Sequence, residues 1–257
     1  MAQPGDEHHD EIGEDFLDRL AANWPEPREQ MHHGGWQATY ELVRLLSLDE
    51  ADHALDLCCG EGATARWLAK TYQRRVTGVD ILEKAIAFAQ AQAQEEGIAN
   101  RVSFEVANVF RLPFPDETFD VIYGQDPDGL AHHRRQLIFE ECRRVLKPGG
   151  RIGFHHWILG PGAPDDVRER FDRVTVEVGF PSMYRLSAEA YRQDMRAGGF
   201  VDIAVQDMSD VYRQHMEAME RIADERQPGS LDAWTAMALD LMRQGHKIGT
   251  FLSARRA

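Results

Sequence analysis

Residues 53–80, HALDLCCGEGATARWLAKTYQRRVTGVD, limit what this chain can fold into more than any other stretch. An apolar run at 54–57 reads as a buried strand, and Gly60-Glu61-Gly62 reads as a tight turn. Residues 63–71 then read as a helix, and 75–79 as a second strand that ends in an acid, Asp80. Strand, glycine turn, helix and strand make a βαβ unit whose parts suit a nucleotide. The glycines let the backbone close on a ligand, the helix start offers N–H groups, and an acid about twenty residues on accepts ribose hydroxyls. An adenosine cofactor is the expected occupant.

The turn itself separates one cofactor from another. A dinucleotide fold places a third glycine inside the helix, in G-x-G-x-x-G, so that strand and helix approach around a pyrophosphate. Here Ala63-Thr64-Ala65 follows Gly62, Asp56 sits on the strand, and Cys58-Cys59 precede the first glycine. D-L-C-C-G-E-G resembles motif I, D-x-x-C/G-G-x-G, of the class I S-adenosylmethionine (SAM) methyltransferases. That resemblance implies an α/β fold, a seven-stranded and mostly parallel Rossmann-like sheet with helices on both faces. It also implies that Asp56 anchors the amino-acid end of SAM, that Cys58, Gly60 and Gly62 border the cofactor, and that Asp80, with Ile81 beside it, takes the ribose.

Later passages extend the resemblance. RVSFEV at 101–106 alternates like a strand and leads to Ala107-Asn108-Val109. The family often has an acid and then an apolar residue here, bonding and packing on adenine, so those roles fall to Asn108 and Val109, with Asn108 uncharged. LPFPDETF at 112–119 resembles the family's turn into strand four, expected at 119–123. RVLKPGG at 144–150 resembles its turn into strand five, expected at 151–154: Pro stops the helix at 136–146 and the glycines allow positive φ. AGGFVDIAVQDMS looks like its sixth strand. The H-x-G-G segment, the G-Q-D loop and a helical insert before the last strand (248–254) look like those of sarcosine/dimethylglycine N-methyltransferases. Residues 1–15, polar, acidic and without period, read as a flexible start, and the length makes 16–257 a single domain; the likeness adds an N-terminal lid at 16–50, a SAM-binding core at 51–160 and a helical cap at 210–245.

Composition bounds the partners. At 257 residues and 43% apolar, the chain suffices for one sizeable core. Its 29 Lys and Arg against 43 Asp and Glu give a formal charge of −14, which repels a phosphate backbone. No nucleic acid is expected, and a small-molecule substrate is. Three cysteines, two of them adjacent in the glycine turn, fit a reducing compartment better than a disulfide framework. No apolar run approaches the ~18 residues of a membrane span, and MAQPGDEHHDEIGED lacks the features of a signal peptide. A soluble, cytoplasmic protein follows, its oligomeric state left open with a homodimer among the options.

The candidate chemistry lies after strands four and five. GQDPDGLAHHRR falls at the carboxyl edge, where ligands of open α/β sheets bind. Gln125 is expected beside the cofactor. Asp126 and His132 are expected to bind substrate and take its proton, an imidazole of pKa ~6.5 being suited to that. Asp128 and His133 read equally well as a turn and an exposed helix start. Strand five ends in His155-His156-Trp157, which adds His155 as a catalytic candidate and His156 as a substrate contact. Trp36 and Tyr40, on a helix at 36–46, and Tyr184, in GFPSMY, complete the expected substrate side, with packing the competing role for each. Three His-His pairs, 32/33, 132/133 and 155/156, converge on this edge. Neighbours on a strand point to opposite faces, so each pair offers one ligand at most, and no metal is expected because methyl transfer from SAM needs none.

The expected function is methyl transfer from SAM to a nitrogen or oxygen of a small molecule, driven by alignment in a closed pocket. The alternatives are C- or S-methylation of a natural-product intermediate, a cyclase that keeps SAM without methyl transfer, and a dinucleotide oxidoreductase, which the turn disfavours.

Overall fold

The computed structural model describes residues 32–127, 135–160, 162–177, 187–229, 231 and 233–257. The first part of the expected lid, residues 16–31, and candidates His132 and Tyr184, lie outside these. Seven strands form one sheet: β1 (His53–Leu57), β2 (Arg75–Asp80), β3 (Val102–Val106), β4 (Phe119–Gln125), β5 (Leu146–Leu159), β6 (Phe200–Asp207) and β7 (Lys247–Arg256). Their order is β3-β2-β1-β4-β5-β7-β6. The first five pair in parallel, and β7 runs antiparallel between β5 and β6. The order reverses between β1 and β4, which opens a crevice at their carboxyl ends.

Burial on both faces explains the apolar strands. Leu55, Leu57 and Ile122 join one core with α4 (Arg135–Val145), through Ile138, Phe139 and Cys142. The alternate residues Ala54, Val121 and Tyr123 join a second core with α1 (Gly35–Leu46), α2 (Ala63–Tyr72) and α3 (Glu83–Glu95), through Leu42, Leu46, Leu68, Ile86 and Ala89. A period of two thus sorts each strand onto two cores. The other α-helices among the described residues are α5 (Asp165–Glu177), α6 (Ala188–Ala197), α7 (Ser209–Arg226) and α8 (Ala233–Arg243). Ser187 caps α6, its hydroxyl accepting from the Ala190 N–H at 3.2 Å.

Strand five departs from expectation at both ends. Pairing with β4 jumps from Phe119↔Leu146 to Val121↔Arg151, so Lys147-Pro148-Gly149-Gly150 bulges out inside the strand, with Gly149 at φ 71°. At the other end the strand does not stop at Phe154. His155 and His156 pair with Phe251 and Thr250 of β7, and both are fully buried. The antiparallel β7 carries the ladder past the point where the polar pair reads as an edge.

Candidate active site

The glycine turn is held from below and open above. Cys59 N–H donates to the Val79 carbonyl at 2.9 Å, and Gly62 N–H closes the turn on the Cys59 carbonyl at 2.9 Å. Cys58, Gly60 and Gly62 have φ of 58°, 52° and 73°. A Cβ on Gly60 would meet nothing within 4 Å, whereas one on Gly62 would lie 2.4 Å from the Phe104 ring. Gly62 is therefore fixed by packing, and Gly60 faces room for a ligand. Asp80 braces the turn: one carboxylate oxygen accepts from Gly60 N–H at 2.8 Å, the other from Leu82 N–H at 3.1 Å. Half-buried Ile81, Asn108 and Val109 follow the ends of β2 and β3 beside it. The Asn108 Oδ1 accepts from Phe110 N–H at 2.9 Å, fixing that short loop.

Asp56 has an internal partner. It is 4% exposed and its carboxyl accepts from the Tyr123 hydroxyl at 3.0 Å. Burial, reinforced by the Asp80 charge against that hydrogen bond, pushes its pKa up to about 8, so the group is protonated at neutral pH.

A second group gathers one residue beyond Gln125. Asp126, at φ 45°, accepts from the backbone N–H of His33 at 2.7 Å and from its Nδ1–H at 2.8 Å, both on Oδ2. Its Oδ1 lies 3.5 Å from the Tyr212 hydroxyl and 3.7 Å from His156 Nδ1. Burial opposes ionisation of Asp126, but its pairing with His33 and the nearness of His156 outweigh it and hold the carboxyl well below the usual range. Burial pushes the His33 imidazole down against the pull of Asp126. Lys247 is fully buried, 4.2 Å above the Trp157 ring, and burial pushes it down to about 7 while Asp126 opposes. His155 lies between the rings of Tyr212 and Phe251, burial taking it to about 4, and neither of its ring nitrogens has a hydrogen-bond partner among the described residues.

The structure thus brings Asp126, His155, His156 and Gln125 together and sets Trp36 and Tyr40 apart. These two are 38% and 51% exposed and pack on Trp67 of α2, with ring centroids 5.2 and 5.5 Å away. Gly34 and Gly35 do mark a close backbone approach, but to α7: a Cβ on Gly35 would sit 2.7 Å from the His215 ring, and His215 Nδ1 accepts from Gly34 N–H at 3.1 Å. Sequence reasoning placed the 32/33 pair at this edge without giving His33 a role, and missed Tyr212 and Lys247 as members of this group. The HHGG run hinted at His33, whereas Tyr212 and Lys247 reach the group only through the fold. Among the described residues, no three His, Cys, Asp or Glu side chains are grouped as a metal ion requires.

Comparison with known proteins fits this geometry. The family profile of a methyltransferase domain matches residues 54–150. The 27-O-demethylrifamycin SV methyltransferase of Amycolatopsis mediterranei is 32% identical over 212 residues, covering 77% of this chain and 75% of that protein. A phosphoethanolamine N-methyltransferase of Triticum aestivum is 31% identical over 197 residues, covering 75% of this chain; the match spans only 37% of that longer protein. The crystal structure of the [4+2]-cyclase SpnF superposes with a TM-score of 0.72 at 25% identity, covering 99% of this chain and 96% of that one. With its glycine turn, its Asp80 brace and a relative aligned along most of both chains, this protein belongs to the S-adenosylmethionine-dependent methyltransferases.

Proposed function

We propose that the chain methylates an oxygen or nitrogen of a small molecule, with Asp126 and His33 accepting the proton that an O–H or N–H acceptor gives up. Bound SAM supplies an electrophilic sulfonium methyl. The turn at Gly60 and the carboxylate of Asp80 would hold its nucleoside, with Ile81, Asn108 and Val109 alongside. The observation that carries the reading is Asp126 itself, a carboxylate whose side chain is 11% exposed and bonded to an imidazole at 2.8 Å. It stands one residue past Gln125, whose amide reaches Thr64 just after the glycine turn at 2.7 Å. Asp126 accepts the Nδ1–H of His33, which leaves Nε2 as the basic atom. The relative named for 27-O-demethylrifamycin SV, a molecule lacking an O-methyl group, supports an oxygen acceptor. His132, His156 and Tyr184 are retained as candidate substrate contacts, α1 as part of a lid, and α7 with α8 as a cap in a cytoplasmic enzyme.

The test is a panel of small hydroxyl and amine compounds incubated with methyl-labelled SAM. The label should appear in an acceptor, one homocysteine equivalent being released per methyl after hydrolysis of S-adenosylhomocysteine. The cyclase neighbour, similar along nearly its whole length, favours one second reading, in which the same pocket folds a substrate without consuming SAM. Product formed while all label stays on SAM would establish that reading and remove ours.

A further inference from the structure

Gln125 makes contacts that neither cofactor binding nor proton transfer accounts for. Its Oε1 accepts from the Thr64 hydroxyl at 2.7 Å, at the second residue of α2. Its Nε2 donates to the Thr39 hydroxyl at 2.9 Å, on α1, and lies 3.2 Å from His32 Nε2. The orientation is self-consistent. His32 Nδ1 lies 3.4 Å from the His33 carbonyl, which places the ring proton there and leaves Nε2 to accept. Burial keeps His32 at about 4, so the ring is neutral in any physiological buffer. Thr39, His32 and Thr64 are each under a tenth exposed, which makes one amide the shared partner of three buried polar groups.

The position of that amide matters. The second half of α1 is fixed by apolar Leu42, Val43 and Leu46, but its start is tied by hydrogen bonds: His33 to Asp126, Gly34 to His215 and Thr39 to Gln125. Thr64 belongs to the helix whose first turn follows the glycine turn, so a ligand that fixes the turn also fixes the Thr64 hydroxyl. β4 holds Gln125 between the two, in register with His155 of β5.

We propose that Gln125 is a positioning residue that couples the start of α1 to the cofactor turn, through Thr39 and His32 on one side and Thr64 on the other, so that each is ordered more firmly when the other is. This rests on the SAM-binding reading of the turn. Linkage makes the effect reciprocal: a cofactor that orders α2 strengthens the docking of α1, and an intact α1 contact strengthens cofactor binding by the same factor.

The test needs no acceptor. S-adenosylhomocysteine is titrated calorimetrically into the full chain, as wild type, Thr39→Val, Thr39→Ser, Thr64→Val and the double Thr39→Val/Thr64→Val. Amide exchange is followed over residues 35–46 with and without the ligand. Thr39→Val should bind roughly three- to ten-fold more weakly, the range expected for losing one hydrogen bond. Thr39→Ser, which keeps the hydroxyl, should stay within about two-fold of wild type, and the double variant should be no weaker than about the weaker single one, because both act through one amide. The ligand should slow exchange at 35–46 in wild type and fail to do so in Thr64→Val. Unchanged affinity in folded Thr39→Val, fully additive losses, or ligand-insensitive exchange at 35–46 in wild type would each overturn the coupling. If Thr39→Val does not fold, Thr39→Ser and the wild-type exchange data decide. A wild type that binds no S-adenosylhomocysteine overturns the cofactor reading itself, and the coupling with it.

Discussion

A carboxylate drawn largely out of water stays ionised only where donors crowd it, and Asp126, its side chain 11% exposed, has two from His33 on a single oxygen. Its left-handed φ of 45° costs about 1 kcal/mol for a residue other than glycine, a strain that the surrounding contacts must outweigh. Asp126→Asn keeps the shape, loses the charge and leaves His33 without its orienting anion. Turnover should fall by ~10²-fold or more with S-adenosylhomocysteine affinity within about two-fold, because the glycine turn is untouched. Equal losses in cofactor affinity would move Asp126 from proton transfer to scaffolding. Asp56 is the opposite case, a carboxyl whose folded-state pKa is raised from 3.8 to about 8. The folded state holds that proton more tightly, so its contribution to stability is full below the unfolded pKa and is lost as pH climbs through 8. Asp56→Asn still accepts from Tyr123 and cannot ionise. Between pH 5 and 8 its melting temperature should fall less steeply than that of wild type, and parallel profiles would show that Asp56 does not carry this titration.

At the scale of elements, the glycine turn asks for two different things of its two glycines. Gly62→Ala drives a methyl to 2.4 Å from the Phe104 ring at a φ of 73°, and should destabilise the α2–β3 contact by about 2–4 kcal/mol. Gly60→Ala meets only the backbone penalty, about 1 kcal/mol, because no atom lies within 4 Å. Urea unfolding of both variants checks the ordering, and equal losses would contradict the packing role of Gly62. The local signals that expose this turn in the sequence also placed β1, β2, α2 and β3 within a residue or two. β5 was less legible, since His155-His156 reads as a polar edge. Only the antiparallel return of β7, with Tyr212 stacked on His155 and Phe251 tilted against it, turns those rings inward. For Trp36 and Tyr40 the sequence left a substrate role and packing side by side, and on the described helix both rings pack on Trp67. Lys247 carries no local signal at all, because its partners Trp157 and Asp126 come from distant parts of the sequence.

At the scale of the molecule, the sheet divides its work at β4. The strands β3, β2 and β1 end in the glycine turn, Asp80 and Asn108, whereas β5 and β7 carry His155, His156, Trp157 and Lys247 on the side of Asp126. Gln125 and Asp126, adjacent at the end of β4, bond to one half each, so under the proposed function a cofactor and an acceptor would meet at the reversal point of the strand order. A ligand of the first half should therefore stabilise the whole chain as one unit. At a hundred times its Kd, S-adenosylhomocysteine should add about 2.7 kcal/mol, which for a domain of this size raises Tm by roughly 5–10 °C. NAD at the same concentration should leave Tm where it was, because Ala63-Thr64-Ala65 supplies no third glycine for a pyrophosphate. Differential scanning calorimetry with each ligand decides the matter: a shift with NAD that matches or exceeds that with S-adenosylhomocysteine would mean that the turn reads a dinucleotide after all.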